Sequence, residues 1–177
     1  MYETWLRPNR RTILFGCVPL LALVGLGAWL TFGLPTVGGG WRWLGVLISG
    51  FGLLALLLLL SQLRRPRIGY HEGRVLFYLA SSGPIAVPVE IVEAFFLGQG
   101  PAALPGGIAK QQQTVNLVAR LSQRETDWAM REVKPALGQW CGGYVTIRGT
   151  WCEPLGTEVI RRLNRRLKEV QTQLDGK

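Results

Sequence analysis

Two long apolar runs occupy the early part of the chain. No Asp, Glu, Lys or Arg occurs from residue 12 to residue 41, nor again from residue 43 to residue 63. A helix rises about 1.5 Å per residue, so about 20 apolar residues cross a hydrocarbon core about 30 Å thick. The pattern therefore predicts two membrane-spanning helices, over about residues 13–34 and 43–63. The short Gly-rich connection between them predicts an antiparallel helical hairpin.

Arginines flank the two runs unevenly. Three precede the first run and four follow the second, whereas the connection between the runs holds only Arg42. Positively charged loops stay on the cytoplasmic side, so this distribution predicts an inner-membrane (cell-membrane) protein with both termini in the cytoplasm. The flanking arginines are Arg7, Arg10, Arg11, Arg64, Arg65, Arg67 and Arg74. Among them, Arg64, Arg65 and Arg67 directly follow the second run and are the predicted contacts with lipid headgroups.

Small residues recur along both apolar runs at spacings of three and four. Such spacing places them on one helix face, where backbones can approach closely in lipid. They are Ala22, Gly25 and Ala28 in the first run and Gly45, Ser49 and Gly52 in the second. The sequence favours packing of the two helices against each other, with packing against another subunit as the alternative. Because Cys17 is the one ionisable residue in the spans, a channel or transporter built from this chain alone is disfavoured.

Beyond residue 63 the apolar residues form short runs separated by Gly and Pro. Alternation over several residues is typical of half-buried strands. Strands are predicted over residues 74–80, 85–89, 91–97, 114–121 and 143–148, with a loop over 98–113. Several strands followed by one helix predict a small α+β domain, an antiparallel sheet or barrel with a C-terminal helix. The predicted domains are residues 1–63, the N-terminal tail and hairpin, and residues 64–177, a cytoplasmic domain.

The last predicted element is an amphipathic helix over residues 157–174. Its apolar residues recur at helical spacing and form one stripe, namely Val159, Ile160, Leu163, Leu167, Val170 and Leu174. Thr157 is placed to cap the N-terminus. The opposite face, called the basic face below, carries Arg161, Arg162, Arg165, Arg166 and Lys168. It is predicted either to be solvated only or to dock anionic lipid or an acidic protein partner.

No catalytic or metal-binding motif is recognisable in the sequence. The three cysteines are Cys17, Cys141 and Cys152, and the last two are not at a zinc-site spacing. Gly-x-Ser-x-Gly, phosphate-loop and His-Glu-x-x-His motifs are absent from the sequence. We therefore expect no enzymatic activity, no cofactor and no metal. We also expect Cys141 and Cys152 to be buried, inert thiols that form no disulfide in a reducing compartment.

The order of elements resembles a known family. Two spans are followed by RRPRIGY at residues 64–70 and then by a strand, a turn and a strand ending in IAVPVEIVE at residues 85–93. This arrangement resembles the bacterial pleckstrin-homology-like (PH-like) membrane proteins, in which a transmembrane hairpin precedes a PH-like domain. The resemblance implies a PH-like sheet capped by the C-terminal helix, and a scaffold or interaction role. It carries over no binding residue.

The net positive charge of the chain indicates a class of partner. Residues 64–177 hold 16 Lys and Arg against 10 Asp and Glu, and the whole chain carries a net charge of +9. An excess of this kind favours anionic partners, and the lipid bilayer is the nearest. Nucleic acid is disfavoured because the aromatic residues show no stacking motif.

Two functional hypotheses follow from these features. The first is a non-catalytic, membrane-anchored scaffold whose PH-like domain binds another protein or self-associates at the inner membrane face. The second is an accessory subunit of a membrane-embedded enzyme or transport complex, held through its two spans. They differ in which part of the chain contacts the partner.

Overall fold

A computed structural model describes residues 2–33, 39–80, 82–101 and 113–176, with the backbone alone at residues 39, 64, 101, 113 and 175. The chain forms two compact units. One comprises Met1–Asn9 with Pro66–Lys177, and the other comprises Arg10–Arg65. The predicted boundary is thus corrected at the N-terminus: the first nine residues belong to the globular unit, because they supply a strand to its sheet.

The hairpin unit consists of two helices of 23 residues each, α1 (Arg10–Phe32) and α2 (Gly39–Ser61). Both are long and apolar enough to cross a membrane by length and composition, which confirms the two predicted apolar helices. Each begins three or four residues before the predicted span. Arginines and tryptophans at a helix end can keep their polar atoms in the interface, so a helix need not begin where its apolar run begins.

A first antiparallel sheet has the strand order β1-β2-β3-β4. The strands are β1 (Glu3–Leu6), β2 (Ile68–His71), β3 (Arg74–Phe77) and β4 (Ile85–Pro88). β1 and β2 were not predicted, whereas β3 and β4 confirm the predicted strand pair. β1 pairs with β2, with Leu6 opposite Ile68, although the hairpin unit separates them in sequence. Strands from both ends of the hairpin therefore lie side by side in one sheet.

A second antiparallel sheet has the order β5-β6-β8-β7. Its strands are β5 (Val92–Pro101), β6 (Gln113–Leu121), β7 (Gly138–Cys141) and β8 (Tyr144–Ile147). The predicted strands over 91–97, 114–121 and 143–148 are confirmed, while β7 was missed and β5 runs into the predicted loop. Within the described residues no ladder joins the two sheets, so they form two separate sheets rather than a closed barrel.

Two-residue turns with positive φ close two of the hairpins. Glu72 and Gly73 have φ values of 46° and 75° between β2 and β3. Gly142 and Gly143 have values of 60° and 76° between β7 and β8. Positive φ at both central residues is the type I′ geometry, whose twist matches that of paired strands.

Helix α3 (Thr157–Asp175) closes the globular unit and confirms the predicted amphipathic helix. Leu163, Leu167 and Val170 of its apolar stripe are buried in one core with residues of both sheets. The N-cap is Gly156 and makes no side-chain capping bond, so the predicted cap at Thr157 is wrong and Thr157 is the first helical residue.

Candidate docking surface

All five residues of the basic face are exposed, yet three of them are bound to carboxylates of the same chain. Arg161 Nη1 lies 2.9 Å from Glu158 Oε1, one turn away on the helix. The other two, Arg162 and Arg166, bind carboxylates outside the helix. Among the described residues no ion pair involves Arg165 or Lys168. The charge offered to an external anion is therefore smaller than the sequence indicated.

Arg166 holds the start of β1. Its Nε and Nη2 donate to the two carboxylate oxygens of Glu3 at 2.8 and 3.0 Å, and its Nη1 donates to Glu169 at 2.5 Å. Two parallel bonds from one guanidinium to one carboxylate add geometric specificity to the charge attraction. The hydrogen bond from Arg166 is the main reason why the pKa of Glu3 lies below its ordinary value.

Arg162 acts at the other end of β1 through Glu153. Glu153 Oε1 accepts from Arg162 Nη2 at 2.7 Å and from the Arg7 backbone N–H at 3.2 Å. Further along, Asn9 donates to the carbonyl groups of Trp151 and Thr150. Helix α3 and the segment before it therefore fasten residues 3–9 to the globular unit. We call this set of contacts the N-terminal clasp.

The arginines predicted to meet lipid headgroups occupy different environments. Arg65 is exposed, and the side chain of Arg64 lies outside the described residues. Arg67 is only 3% exposed, and its Nε donates to the Trp151 carbonyl oxygen at 3.2 Å. Burial lowers the pKa of its guanidinium. The predicted headgroup contact at Arg67 is wrong, because the backbone of Arg67 pairs with Leu6 and so carries its side chain into the unit.

The cysteines of the globular unit also differ from each other. Cys152 is fully buried, as predicted, and burial raises the pKa of its thiol to about 12. Cys141 is exposed at the end of β7, so the expectation that it is buried is wrong. In the part of the chain that the structure describes, no group of three or more His, Cys, Asp or Glu could hold a metal ion.

Helix packing in the hairpin uses a different residue of α1 than predicted. A Cβ at Gly27 would lie 2.5 Å from Ser49 Oγ, and one at Gly45 would lie 2.7 Å from the Gly27 carbonyl oxygen. Gly45, Ser49 and Gly52 thus lie at the predicted contact on α2. On α1, Gly25 and Ala22 face away and are exposed, and Ala28 is partly buried. Helix α1 carries small residues on two faces, and spacing alone cannot say which face meets α2.

One concave surface, which no sequence pattern predicted, lies beside β7. It is a groove of about 540 Å³ between residues 130–135 and the edge strand, and we call it the β7 groove. Its wall on the strand side includes Trp140, which stacks on Trp128 with ring centres 6.4 Å apart. Residues 122–137 show no periodicity, so neither wall was recognised. The Gly142-Gly143 pair, a typical hairpin turn, was the one available signal for β7.

Comparisons with known proteins add no relative. No protein-family model matches the chain, and no curated protein or solved structure matches it. A function is therefore supported only by the fold and by the contacts of the chain's own residues.

Proposed function

We propose that this chain is a membrane-anchored interaction module. In this proposal the hairpin spans the inner membrane, and the globular unit, a PH-like domain, lies at the cytoplasmic face. There it binds another protein or a second copy of itself and catalyses no reaction. Two antiparallel sheets followed by a helix that packs into their common core support the PH-like assignment.

The observation that carries the proposal is the pairing of β1 with β2. These strands lie directly before and after the hairpin, and they are neighbours in one sheet. If α1 and α2 cross a membrane, α1 must therefore begin, and α2 must end, on the side that holds this sheet. The arginines before α1 and after α2 favour the cytoplasm as that side.

The exposure of the hairpin supports a membrane as its surroundings. Within the apolar windows of α1 and α2, 17% and 11% of the residues are buried. A core helix of a soluble protein would be mostly buried, and an apolar surface of this extent is unusual on a soluble monomer. Lipid tails would cover these side chains.

A hairpin-replacement variant tests the proposal. In it, a short Gly-Ser linker joins Asn9 to Pro66, because Leu6 and Arg67 are already hydrogen-bonded at 2.9 Å. A fragment that begins at residue 64 is a poorer choice, since it lacks β1. Circular dichroism first establishes that the linker variant folds. The full chain should remain in membranes after an alkaline wash, whereas the linker variant should be soluble.

The partner is then identified by chemical cross-linking and mass spectrometry. If the proposal holds, the folded linker variant and the full chain cross-link to the same protein, or each to a second copy of itself. A folded linker variant that loses the partner would contradict the proposal and favour the accessory-subunit function.

One observation favours that second function, in which the spans contact a larger membrane complex. A Cβ at Gly25 or Gly50 would meet nothing within 4 Å, so both helices present an outward-facing glycine. Such positions allow close approach of another helix in lipid. Substituting both residues by Leu in the full chain should abolish the cross-link only if this second function is correct.

A further inference from the structure

The β7 groove is held open by the way residues 129–135 run beside the edge strand. The Gly143 N–H donates to the Ala129 carbonyl at 3.2 Å, and the Gly138 N–H donates to the Lys134 carbonyl at 3.1 Å. These bonds fasten the segment near both ends of β7, and the groove lies between them. Because this segment covers both ends of the β7 edge, a long partner strand cannot pair with β7. A side chain or a short turn of a partner fits the groove better.

Aromatic stacking gives the groove a rigid base. Trp140 is 3% exposed, and its Nε1 donates to the Trp128 carbonyl at 2.8 Å. The Arg131 guanidinium carbon lies 4.9 Å from the centre of the Trp128 ring, which places this cation beside the groove before any ligand arrives. A preorganised charge costs less to immobilise on binding than a free one.

Positive charge dominates the rim. Arg131 and Arg148 line the groove, and Lys134 lines an adjoining depression of about 370 Å³ that shares Glu132 with it. Arg148 Nε donates to the Pro135 carbonyl at 2.8 Å, which fixes its guanidinium at the rim. Glu132 is the one carboxylate among the described residues that line the β7 groove and the adjoining depression. Three cations against one anion complement an acidic ligand.

Apolar side chains complete the surface. Met130 is 70% exposed, and its flexible thioether can adapt to different partners. Val133 lines both the β7 groove and the adjoining depression. A flat bilayer surface cannot place a side chain in a concave groove, whereas a polypeptide can. The combination of concavity, apolar lining and positive rim therefore favours a protein segment over anionic lipid.

We infer that the β7 groove docks an acidic segment of a partner protein, with one apolar side chain of that segment seated between Met130 and Trp140. This inference rests on the proposed function, because it names the surface through which the interaction module binds. The basic face, with most of its arginines held within the chain, is not that surface.

The first experiment measures peptide binding to the full chain in nanodiscs of zwitterionic phosphatidylcholine, which has no net charge. The probe is a fluorescent peptide with one leucine among glutamates and aspartates, and fluorescence anisotropy reports the Kd. Arg131→Glu with Lys134→Glu should weaken binding by about tenfold or more. Arg131→Gln with Lys134→Gln, which should fold even if the reversed pair does not, should weaken it less but measurably. The matched control, Arg165→Glu with Lys168→Glu, should leave the Kd within about twofold at physiological ionic strength, where exposed charges are screened over about 8 Å.

Three results would overturn the inference. The wild-type chain does not bind the peptide at low salt, or the control pair weakens binding as much as the groove pair does, or the groove pair binds as well as wild type. Anionic phosphatidylserine vesicles are tested in parallel. If they, and not the peptide, depend on Arg131 and Lys134, the surface binds lipid and the protein-docking inference is wrong.

A second experiment separates this inference from the proposed function. A photo-cross-linking amino acid replaces Met130 in one variant of the full chain and the exposed Thr172 of α3 in another. The groove inference requires an adduct at Met130 that maps to an acidic segment and disappears with Arg131→Gln and Lys134→Gln. An adduct at Thr172 alone would overturn the groove while the module function stands. The absence of protein adducts at both positions, with no partner cross-linked elsewhere on the globular unit, would contradict both.

Discussion

Arg166 shows how contacts with neighbouring carboxylates determine the role of a charged residue. By sequence it is one of five basic residues on an exposed face, but in the structure it binds both oxygens of Glu3 and a second carboxylate, Glu169. Its charge is therefore compensated within the chain. Arg165, its neighbour, has no such partner among the described residues. Two adjacent arginines thus differ in their expected contribution to stability.

Replacing Arg166 by Gln should lower the free energy of unfolding by about 1 kcal/mol at neutral pH, because exposed ion pairs contribute little even with good geometry. Arg165→Gln is the matched control and should change it by less than about 0.5 kcal/mol. Chemical denaturation of the chain in detergent, followed by tryptophan fluorescence, measures both, since Trp5 lies in the core of the globular unit.

The effect of Arg166→Gln should depend on pH. The pKa of Glu3 is lowered in the folded chain, so its stabilising contribution is complete above the unfolded value of about 4.3 and is lost as pH falls through the folded value. The difference between wild type and Arg166→Gln should therefore shrink below about pH 4. A difference that stays constant from pH 6 to pH 3 would show that the ion pair with Glu3 does not stabilise the clasp.

At the scale of elements, helix α3 completes the edge of the second sheet. In the described part of the chain β5 pairs with β6 alone, and the Asn164 side chain is hydrogen-bonded to the β5 backbone. The Asn164 amide accepts from the Phe95 N–H at 2.8 Å and donates to the Phe95 carbonyl at 2.9 Å. Gln171 likewise donates to the carbonyl groups of Val89 and Val92. Polar residues of an amphipathic helix thereby supply the hydrogen bonds that a neighbouring strand would make.

Replacing Asn164 by Leu should destabilise the globular unit by about 1–3 kcal/mol, because two backbone groups of Phe95 lose their partners in a partly buried site. Asn164→Asp keeps an acceptor for the Phe95 N–H and loses the donor to the Phe95 carbonyl. If the bond from the Phe95 N–H dominates, Asn164→Asp should destabilise the unit less than Asn164→Leu does, at a pH where the carboxylate is charged. Thermal unfolding by circular dichroism compares the variants. An unchanged midpoint for Asn164→Leu would contradict the role of this contact.

The two helices of the hairpin allow a matched pair of glycine substitutions. Gly27→Ala places a methyl group against Ser49 and should destabilise the packing by about 1–3 kcal/mol. Gly25→Ala meets open space and should be neutral or slightly stabilising, since Ala is the better helix former. Energy transfer between labels at Leu14 and Leu60, in a cysteine-free background titrated with SDS, measures separation of the helices. Equal effects of both substitutions would contradict the observed helix contact.

At the scale of the whole molecule, β1 and β2 pair in one sheet, so one labelling site can test on which side of the membrane the globular unit lies. Cys141 provides this site without an introduced cysteine, because it is exposed while Cys152 is buried. In intact cells a membrane-impermeant maleimide should leave Cys141 unlabelled, and after permeabilisation it should label Cys141 rapidly. Cys152 should react only after denaturation, because burial keeps its thiol protonated. Rapid labelling of Cys141 in intact cells would overturn the cytoplasmic assignment.

Local patterning was sufficient for much of this architecture. Unbroken apolarity predicted α1 and α2, short apolar runs bounded by Gly and Pro predicted β3, β4, β6, β8 and most of β5, and helical spacing predicted α3. These signals are local because a helix or a half-buried strand carries its burial pattern within a few successive residues.

Tertiary structure alone decided which of those residues meet. β1 has only four residues, so its alternation is too short to predict a strand. Its partner β2 lies beyond the hairpin, so no local pattern predicts their pairing. The burial of Arg67, the clasp formed by Arg162 and Arg166, and the groove beside β7 all depend on contacts between segments distant in sequence. Charge and hydrophobicity are properties of single residues, but the compensation of a charge is a property of its neighbours in space. The sequence alone therefore determined most of the elements and the excess of positive charge, and the fold determined which cations remain available to a partner.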